Sequence, residues 1–223
     1  MSVRNESAAA RDGAPKRGAR GELALAARAV LPLDPDAHVA IKRDVRSLEV
    51  LAGARDVASA LHDAIVASPA SFGPMRLVRC EASVGEPLAV GERFEEHYSD
   101  ERDVVRPLHE RLTRFGEIVE LALPREGAAG SEREQYRLRH RFLQGSPIAG
   151  TSTYLVEPLR EGSCRVVNVL EYQERQPRLV RWFGTRGLKA HHLVVYAQVR
   201  RAADAIGSRV LATDLPCGHV EIG

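Results

Sequence analysis

The sequence lacks most of the features that would mark a function class outright. Its three cysteines, Cys80, Cys164 and Cys217, are odd in number and show neither CxxC nor Cys/His ligand spacing. That argues against a disulfide framework or a zinc site and fits a reducing cytoplasm. Lys plus Arg, 32, nearly cancels Asp plus Glu, 30, so no global field draws in nucleic acid. No apolar run approaches the roughly 20 residues that span a bilayer, and the first residues hold no apolar signal core. HExxH, GxSxG and GxGxxG are all missing. Gly145 to Ser152 imitates the glycine spacing of a phosphate loop, but Thr151 stands in place of the lysine and a strand follows where a helix must start. It reads as a sheet turn. Adjacent His191 and His192 project about 100° apart on a helix and cannot chelate together, so neither a metal nor another cofactor is expected.

What is present has the balance of a soluble globular chain, 44% hydrophobic and 28% charged. Residues 1 to 21, rich in Ala, Gly, Arg and Ser, cannot bury enough surface to offset the entropy of ordering and read as a basic tail. An Arg-rich transit peptide is the sharper reading of this tail, and Glu6 and Asp12 count against it. Glu22 to Leu31 reads as a helical arm that Pro32 and Pro35 break, which completes a first segment, 1–35. The main domain is expected at 36–210, and 211–223 is read as a C-terminal tail.

Within the domain, Val45 to Leu51 reads as a strand and Asp56 to Ala67 as a helix, with Val57, Leu61, Ala64 and Ile65 at helical spacing. Ser68 to Pro74 is loop or a short helix. Strands are predicted at Met75 to Ser83, Gly91 to Ser99, Gly116 to Leu123, Glu134 to Leu143, Ile148 to Glu157 and Ser163 to Glu174. A long amphipathic helix, Leu188 to Ile206, closes the order, with Leu188, His192, Val195, Val199, Ala202 and Ile206 as its buried stripe. On that register Leu193 and Val194 face outward, so a second cover, the arm or a dimer partner, is expected for the helix.

Alternation assigns the sheet faces. Tyr136, Leu138, His140 and Phe142 share a face opposite Arg137, Arg139 and Arg141. Phe94 and Tyr98 point inward with Glu96 between them, and Val166, Asn168, Leu170 and Tyr172 line up in the last strand. Glu96, His140, Asn168 and His192 are therefore polar groups on apolar faces, with Tyr98, Tyr136, Tyr154 and Tyr172 near them. Each must be hydrogen-bonded, wet or facing a ligand, because an unpartnered buried group costs roughly 1–3 kcal/mol. A lone histidine on such a face is most often a satisfied structural residue. Just before the helix, Arg178, Arg181, Trp182, Phe183 and Arg186 interleave cations with aromatics, which suits an anionic lipid surface or an acidic partner, or else a solvated connector whose rings plug the barrel end.

The order of one strand, a helix, six strands and a long helix resembles the helix-grip fold of the START/Bet v 1-like superfamily, which includes polyketide cyclase-like proteins. The resemblance covers Val45 to Gly207. It rests on the Gly145 to Gly150 turn, the strands Thr151 to Glu157 and Val166 to Tyr172, the Glu161-Gly162-Ser163 hairpin and the terminal helix. It implies an α+β fold in which a curved antiparallel sheet of about seven strands wraps the C-terminal helix around a cavity. Because the superfamily shares no catalytic signature, it transfers no site residue. Three functions follow as expectations. The first is a carrier or sensor of a hydrophobic small molecule or lipid. The second is a cyclase- or hydratase-like enzyme on an apolar substrate, with His140 or His192 as base and Glu96 or a tyrosine as its partner. The third is an interaction module with a filled cavity.

Overall fold

The computed structural model describes residues 28–34, 36, 38–67, 70–82, 85–98, 113–123, 136–160, 162–175, 177–213 and 220–222, and the side chains of the last helix from Leu188 onward. Among the described residues, ten strands and two helices follow one another as β1 (Ile41–Val50), α1 (Ala54–Val66), β2 (Ala70–Phe72), β3 (Met75–Arg79), β4 (Arg93–Tyr98), β5 (Arg114–Ala122), β6 (Tyr136–Phe142), β7 (Ile148–Arg160), β8 (Ser163–Glu174), α2 (Pro177–Ala205), β9 (Val210–Thr213) and β10 (Val220–Ile222). The sheet is antiparallel throughout and runs β10-β1-β8-β7-β6-β5-β4-β3-β2, with β9 also on β1. β2, at one end of that order, and β1, near the other, both touch α2, so the sheet curls around the helix. This is the helix-grip fold.

The strand alternation holds. Tyr136, Leu138, His140 and Phe142 are buried, as are Val166, Asn168, Leu170 and Tyr172. Across the sheet, Arg137 and Arg141 on the opposite face of β6 pair with Glu120 and Glu117. The departures lie at the ends of elements. Ser68–Pro74 contributes the short strand β2, and its turn at Gly73 packs close to the α2 backbone, where an added Cβ would lie 3.6 Å from the Leu193 carbonyl oxygen. Three short strands, β2, β9 and β10, raise the count above the expected seven. The last helix begins at Pro177, so the supposed connector is helical.

The buried stripe of α2 also differs from the expected one. His191, Val194, Val195, Gln198, Val199, Ala202 and Ala203 are buried, His192 is half-buried and Ile206 is exposed. Val194 therefore faces inward, and the buried arc is wider than a single stripe because α1 packs on α2 in addition to the sheet. That packing supplies the second cover. In α1 itself, Val57, Ala58, Leu61, Ala64 and Ile65 form the packed face.

Both expected tails contribute to the sheet. Over its described part the expected helical arm is extended. Val30 bridges Leu143, the Leu31 N–H donates to the Phe142 carbonyl at 3.1 Å and the Gln144 N–H to the Ala29 carbonyl at 2.7 Å. The buried Gln173 amide then holds the strap further along, donating 2.7 Å bonds to the Asp34 and Val39 carbonyls and accepting from the Asp34 N–H at 3.1 Å. In the C-terminal segment, β9 and β10 pair with β1. Residues 1–21 and 22–27 lie outside the described residues.

Gly150 sits where the strap crosses β7. Its φ of +115° is a glycine conformation, and an added Cβ would lie 2.1 Å from the Glu171 carbonyl oxygen and 3.1 Å from Leu33 Cδ2. Gly150→Ala combines backbone strain with a clash against main chain, so it is expected to destabilise the protein by about 3 kcal/mol, read as a lowered urea midpoint at constant m-value. An unchanged midpoint contradicts this packing.

Candidate functional site

Between the sheet and α2 lies a cavity of about 40 Å³. Leu77, Phe94, Ile118, Leu138 and Val194 form its apolar wall, and Glu96, Tyr98, His140, Tyr154, His191 and Gln198 project polar groups into the same space. Strand alternation delivers the first four, and the inward face of α2 delivers His191 and Gln198. Glu96 lies two residues after Phe94 on the inward face of β4, opposite Leu77 of β3 and Arg114 of β5, while His140 of β6 lies opposite Ile118 and Ser152.

The centre of the arrangement is Glu96. The Tyr98 hydroxyl donates to its Oε2 at 3.2 Å, and Arg114 Nη1 is 3.7 Å from the same oxygen. His140 Nε2 lies 3.9 Å from Oε1, too far for a hydrogen bond, and has no partner among the described residues. The imidazole is nonetheless held in place, since Phe94 and Phe142 pack against it edge-on at centroid distances of 5.0 and 5.4 Å. Phe94 in turn lies over Gly116, where an added Cβ would meet its ring at 2.4 Å.

Burial sets the protonation states. It raises the Glu96 carboxyl, and the attraction of Arg114 and the Tyr98 hydrogen bond offset only part of that. It lowers His140 to about 3, with Arg114 pushing the same way. The Tyr98 and Tyr154 phenols are driven up by burial and stay protonated. A neutral imidazole thus faces a carboxyl that resists ionisation.

A second network stands behind the wall. Asn168 donates Nδ2 to Ser152 Oγ at 3.1 Å, so its Oδ1 accepts from His191 Nε2 at 2.9 Å and places the imidazole proton on that nitrogen. His191 is held well below the usual imidazole value, chiefly by burial. The Tyr154 hydroxyl donates to Gln198 Oε1 in a close contact.

A third cluster lies apart from the cavity. Asp44, 1% exposed, accepts from Arg46 Nη2 at 3.1 Å and bonds His192 Nε2 at 3.0 Å, tying β1 to α2. His192 therefore does not line the cavity. Tyr172 packs with Phe142, Ile148, Leu170 and Leu188 in a separate apolar cluster, and burial pushes its phenol up to about 12. Tyr136 is buried in the main core with its hydroxyl unpartnered, away from the cavity wall.

Of the eight expected residues, the structure brings Glu96, Tyr98, His140 and Tyr154 together on the cavity, and Asn168 stands one hydrogen bond behind it. His191 and Gln198 line the cavity without a signal in the strand pattern, and Arg114 stands behind Glu96. Arg114 shares a face with Gly116 and Ile118, one turn of alternation before the expected strand start at Gly116. Arg178, Arg181, Trp182, Phe183 and Arg186 fall on α2, and their side chains lie outside the described residues. Among the described residues no three His, Cys, Asp or Glu side chains are placed to hold a metal, and no helix is long and apolar enough to cross a membrane.

No family model and no curated protein matches the chain. Solved structures with a similar chain path include norcoclaurine synthase from Thalictrum flavum, at 15% identity and a TM-score of 0.46 over 79% of this chain and 96% of that one. A hypothetical protein from Helicobacter pylori aligns at 17% identity and a TM-score of 0.44, over 70% of this chain and 87% of its own. A conserved protein from Geobacillus kaustophilus does so at 12% and 0.43, over 74% and 96%.

Two predictions follow from this chemistry. His192→Leu leaves the buried Asp44 carboxylate with Arg46 and without its imidazole, so it is expected to cost about 1–3 kcal/mol in a denaturant melt while leaving any ligand affinity of the cavity unchanged. A loss of affinity at full stability would place His192 in the site after all.

The second concerns acid. His62, His140 and His191 all lie below the ordinary imidazole value of 6.5, each chiefly through burial. The unfolded chain protonates them first, so their contribution is complete above 6.5 and is lost as the pH falls below it. Glu96, raised from 4.5, acts oppositely, since its contribution is present at low pH and lost as pH rises through the interval above 4.5. Three imidazoles against one carboxyl give a urea midpoint that falls from pH 6.5 to pH 5. His140→Gln should make that fall shallower, and an equally steep profile would show that His140 titrates normally.

Proposed function

We propose that this protein binds a compact, mainly apolar small molecule in the cavity and performs acid–base chemistry on it, with Glu96 as the proton-transferring group. The supporting observation is the Glu96 carboxyl facing an aromatic-clamped imidazole whose Nε2 is unpartnered among the described residues, 3.9 Å away, in a cavity walled by both apolar and polar side chains. A buried polar atom left without a partner is costly, and a ligand that supplies the missing hydrogen bond repays it.

The direction of the shifts supports a division of roles. Burial raises Glu96 above the ordinary carboxyl value, which suits a general acid or base, whereas His140 at about 3 is too feeble a base and serves as a neutral hydrogen-bonding group toward the ligand. This reverses the roles expected from the sequence, where histidine was the base. Tyr98 orients the carboxyl, and Leu77, Phe94, Ile118, Leu138 and Val194 take the apolar part of the ligand. Ring closure, dehydration and isomerisation beside a carbonyl are the reaction classes this set serves, since each needs one proton moved at a fixed point. A volume of about 40 Å³ is far below the roughly 300–1,000 Å³ of pockets for drug-sized ligands, so the ligand is small or the walls draw back as it enters.

The carrier reading is favoured by the same apolar wall, and a measurement separates the two. Small ketones, acetone and cyclopentanone among them, incubated with the full chain in D₂O and followed by proton NMR, are expected to lose α-protons faster than in buffer, with a rate that rises with pH through the raised Glu96 value. Glu96→Gln should lower that rate by about 100-fold, a typical contribution of a positioned acid–base group. Binding with no exchange above buffer would replace the enzyme by a carrier.

A further inference from the structure

One nitrogen in the cavity wall has nothing to bond. His140 is 7% exposed, its Nε2 has no hydrogen-bond partner among the described residues, and it stands 3.9 Å from Glu96 Oε1. Both residues line the cavity, and both are held where they are. Phe94 and Phe142 bracket the imidazole edge-on, while the carboxyl is anchored through its other oxygen, Oε2, which accepts from Tyr98 and lies 3.7 Å from Arg114. A span of 3.9 Å is too long for one hydrogen bond and suits two, because a single oxygen set to one side of the gap reaches both atoms at about 2.8–3.0 Å.

We propose that the ligand of this cavity is a small alcohol, whose hydroxyl lies between His140 Nε2 and Glu96 Oε1 and whose carbon skeleton lies on the apolar wall. The inference rests on the reading that the cavity binds a compact, mainly apolar molecule, and it names the polar group of that molecule. A hydroxyl both donates and accepts at one atom, whereas a carbonyl or an ether oxygen only accepts. The pair calls for both functions. Oε2 already faces a donor and a cation, so the proton of the neutral carboxyl sits on Oε1 and is offered to the ligand oxygen, while a bare Nε2 takes the ligand's own proton. When the carboxyl ionises, the hydroxyl turns round, donating to Oε1 and accepting from Nε2–H. Water makes the same two bonds, so a ligand gains at this point only if the group that displaces the water reproduces both.

Titration of the full chain, labelled with nitrogen-15 in its histidines, tests this with isopropanol against acetone and cyclopentanol against cyclopentanone. Each pair shares a carbon skeleton and differs in the O–H donor. For at least one pair the alcohol is expected to bind about tenfold more tightly than the ketone, the difference made by one buried hydrogen bond. Long-range proton–nitrogen NMR should show the His140 Nε2 resonance shifting as that alcohol binds. His140→Phe, which keeps a flat ring between Phe94 and Phe142 and removes the nitrogen, should abolish the preference and leave the affinity for the ketone unchanged. The resonance shift is read in the parent protein and decides the matter even if that variant folds poorly. Equal affinity for alcohol and ketone, an alcohol that binds without moving Nε2, or a preference that survives His140→Phe overturns the hydroxyl assignment while leaving the cavity a binding site. Failure of both alcohols and both ketones to bind overturns the cavity reading and this proposal together.

Discussion

The concave face of one antiparallel sheet must be buried against α2, and the rest of the molecule is arranged around that requirement. Because side chains alternate along a strand, every second residue of β1 and of β3 to β8 is forced inside whatever its polarity. Most of those positions are apolar and form the core, as Leu77, Phe94, Ile118, Leu138, Tyr154 and Val166 do. A few are not, and the same geometry takes Asp44, Arg46, Glu96, Arg114, His140 and Asn168 out of water together with them.

The buried polar groups divide by how completely they are satisfied. Arg79 with Glu92 and Asp44 with Arg46 are matched charge to charge, His192 adds a hydrogen bond to Asp44, and together they fasten loop to strand and strand to helix. Removing one member of such a group exposes the other to an uncompensated desolvation cost, which is why they behave as structural pins. Glu96, Arg114 and His140 are close to one another without closing any comparable set of bonds. Stability alone gives no reason to keep three unfinished groups in one space. On the proposed reading a ligand completes the Glu96 and His140 pair.

Desolvation also decides the chemistry more strongly than proximity. Arg114 is near enough to Glu96 to favour its ionised form, yet burial dominates and the carboxyl moves up. The same burial removes His140 and His191 from the range in which histidine usually works. Residue identity in the sequence points to histidine as the base, whereas in the proposed function burial favours the carboxyl for that role.

The sheet faces, the order of the elements and the fold were legible in the sequence, because a period of two along β6 and β8 and a period near 3.6 along α1 are local properties of the chain. Glu96, Tyr98, His140 and Tyr154 were found for the same reason, as polar or amphipathic residues in register with apolar neighbours. The helix register was not, since α2 is covered on two sides and a widely buried helix has no single stripe to read. His191 and Gln198 were lost to that ambiguity, and His192 was chosen in their place. The extended strap and the pairing of β9 and β10 depend on contacts between residues more than a hundred positions apart, such as Asp34 with Gln173, and leave no local period. The sequence by itself determined which strand residues are inside. Only the tertiary structure decided which of them are satisfied, because a hydrogen-bond partner is fixed by packing across the sheet and helix and not by spacing along the chain.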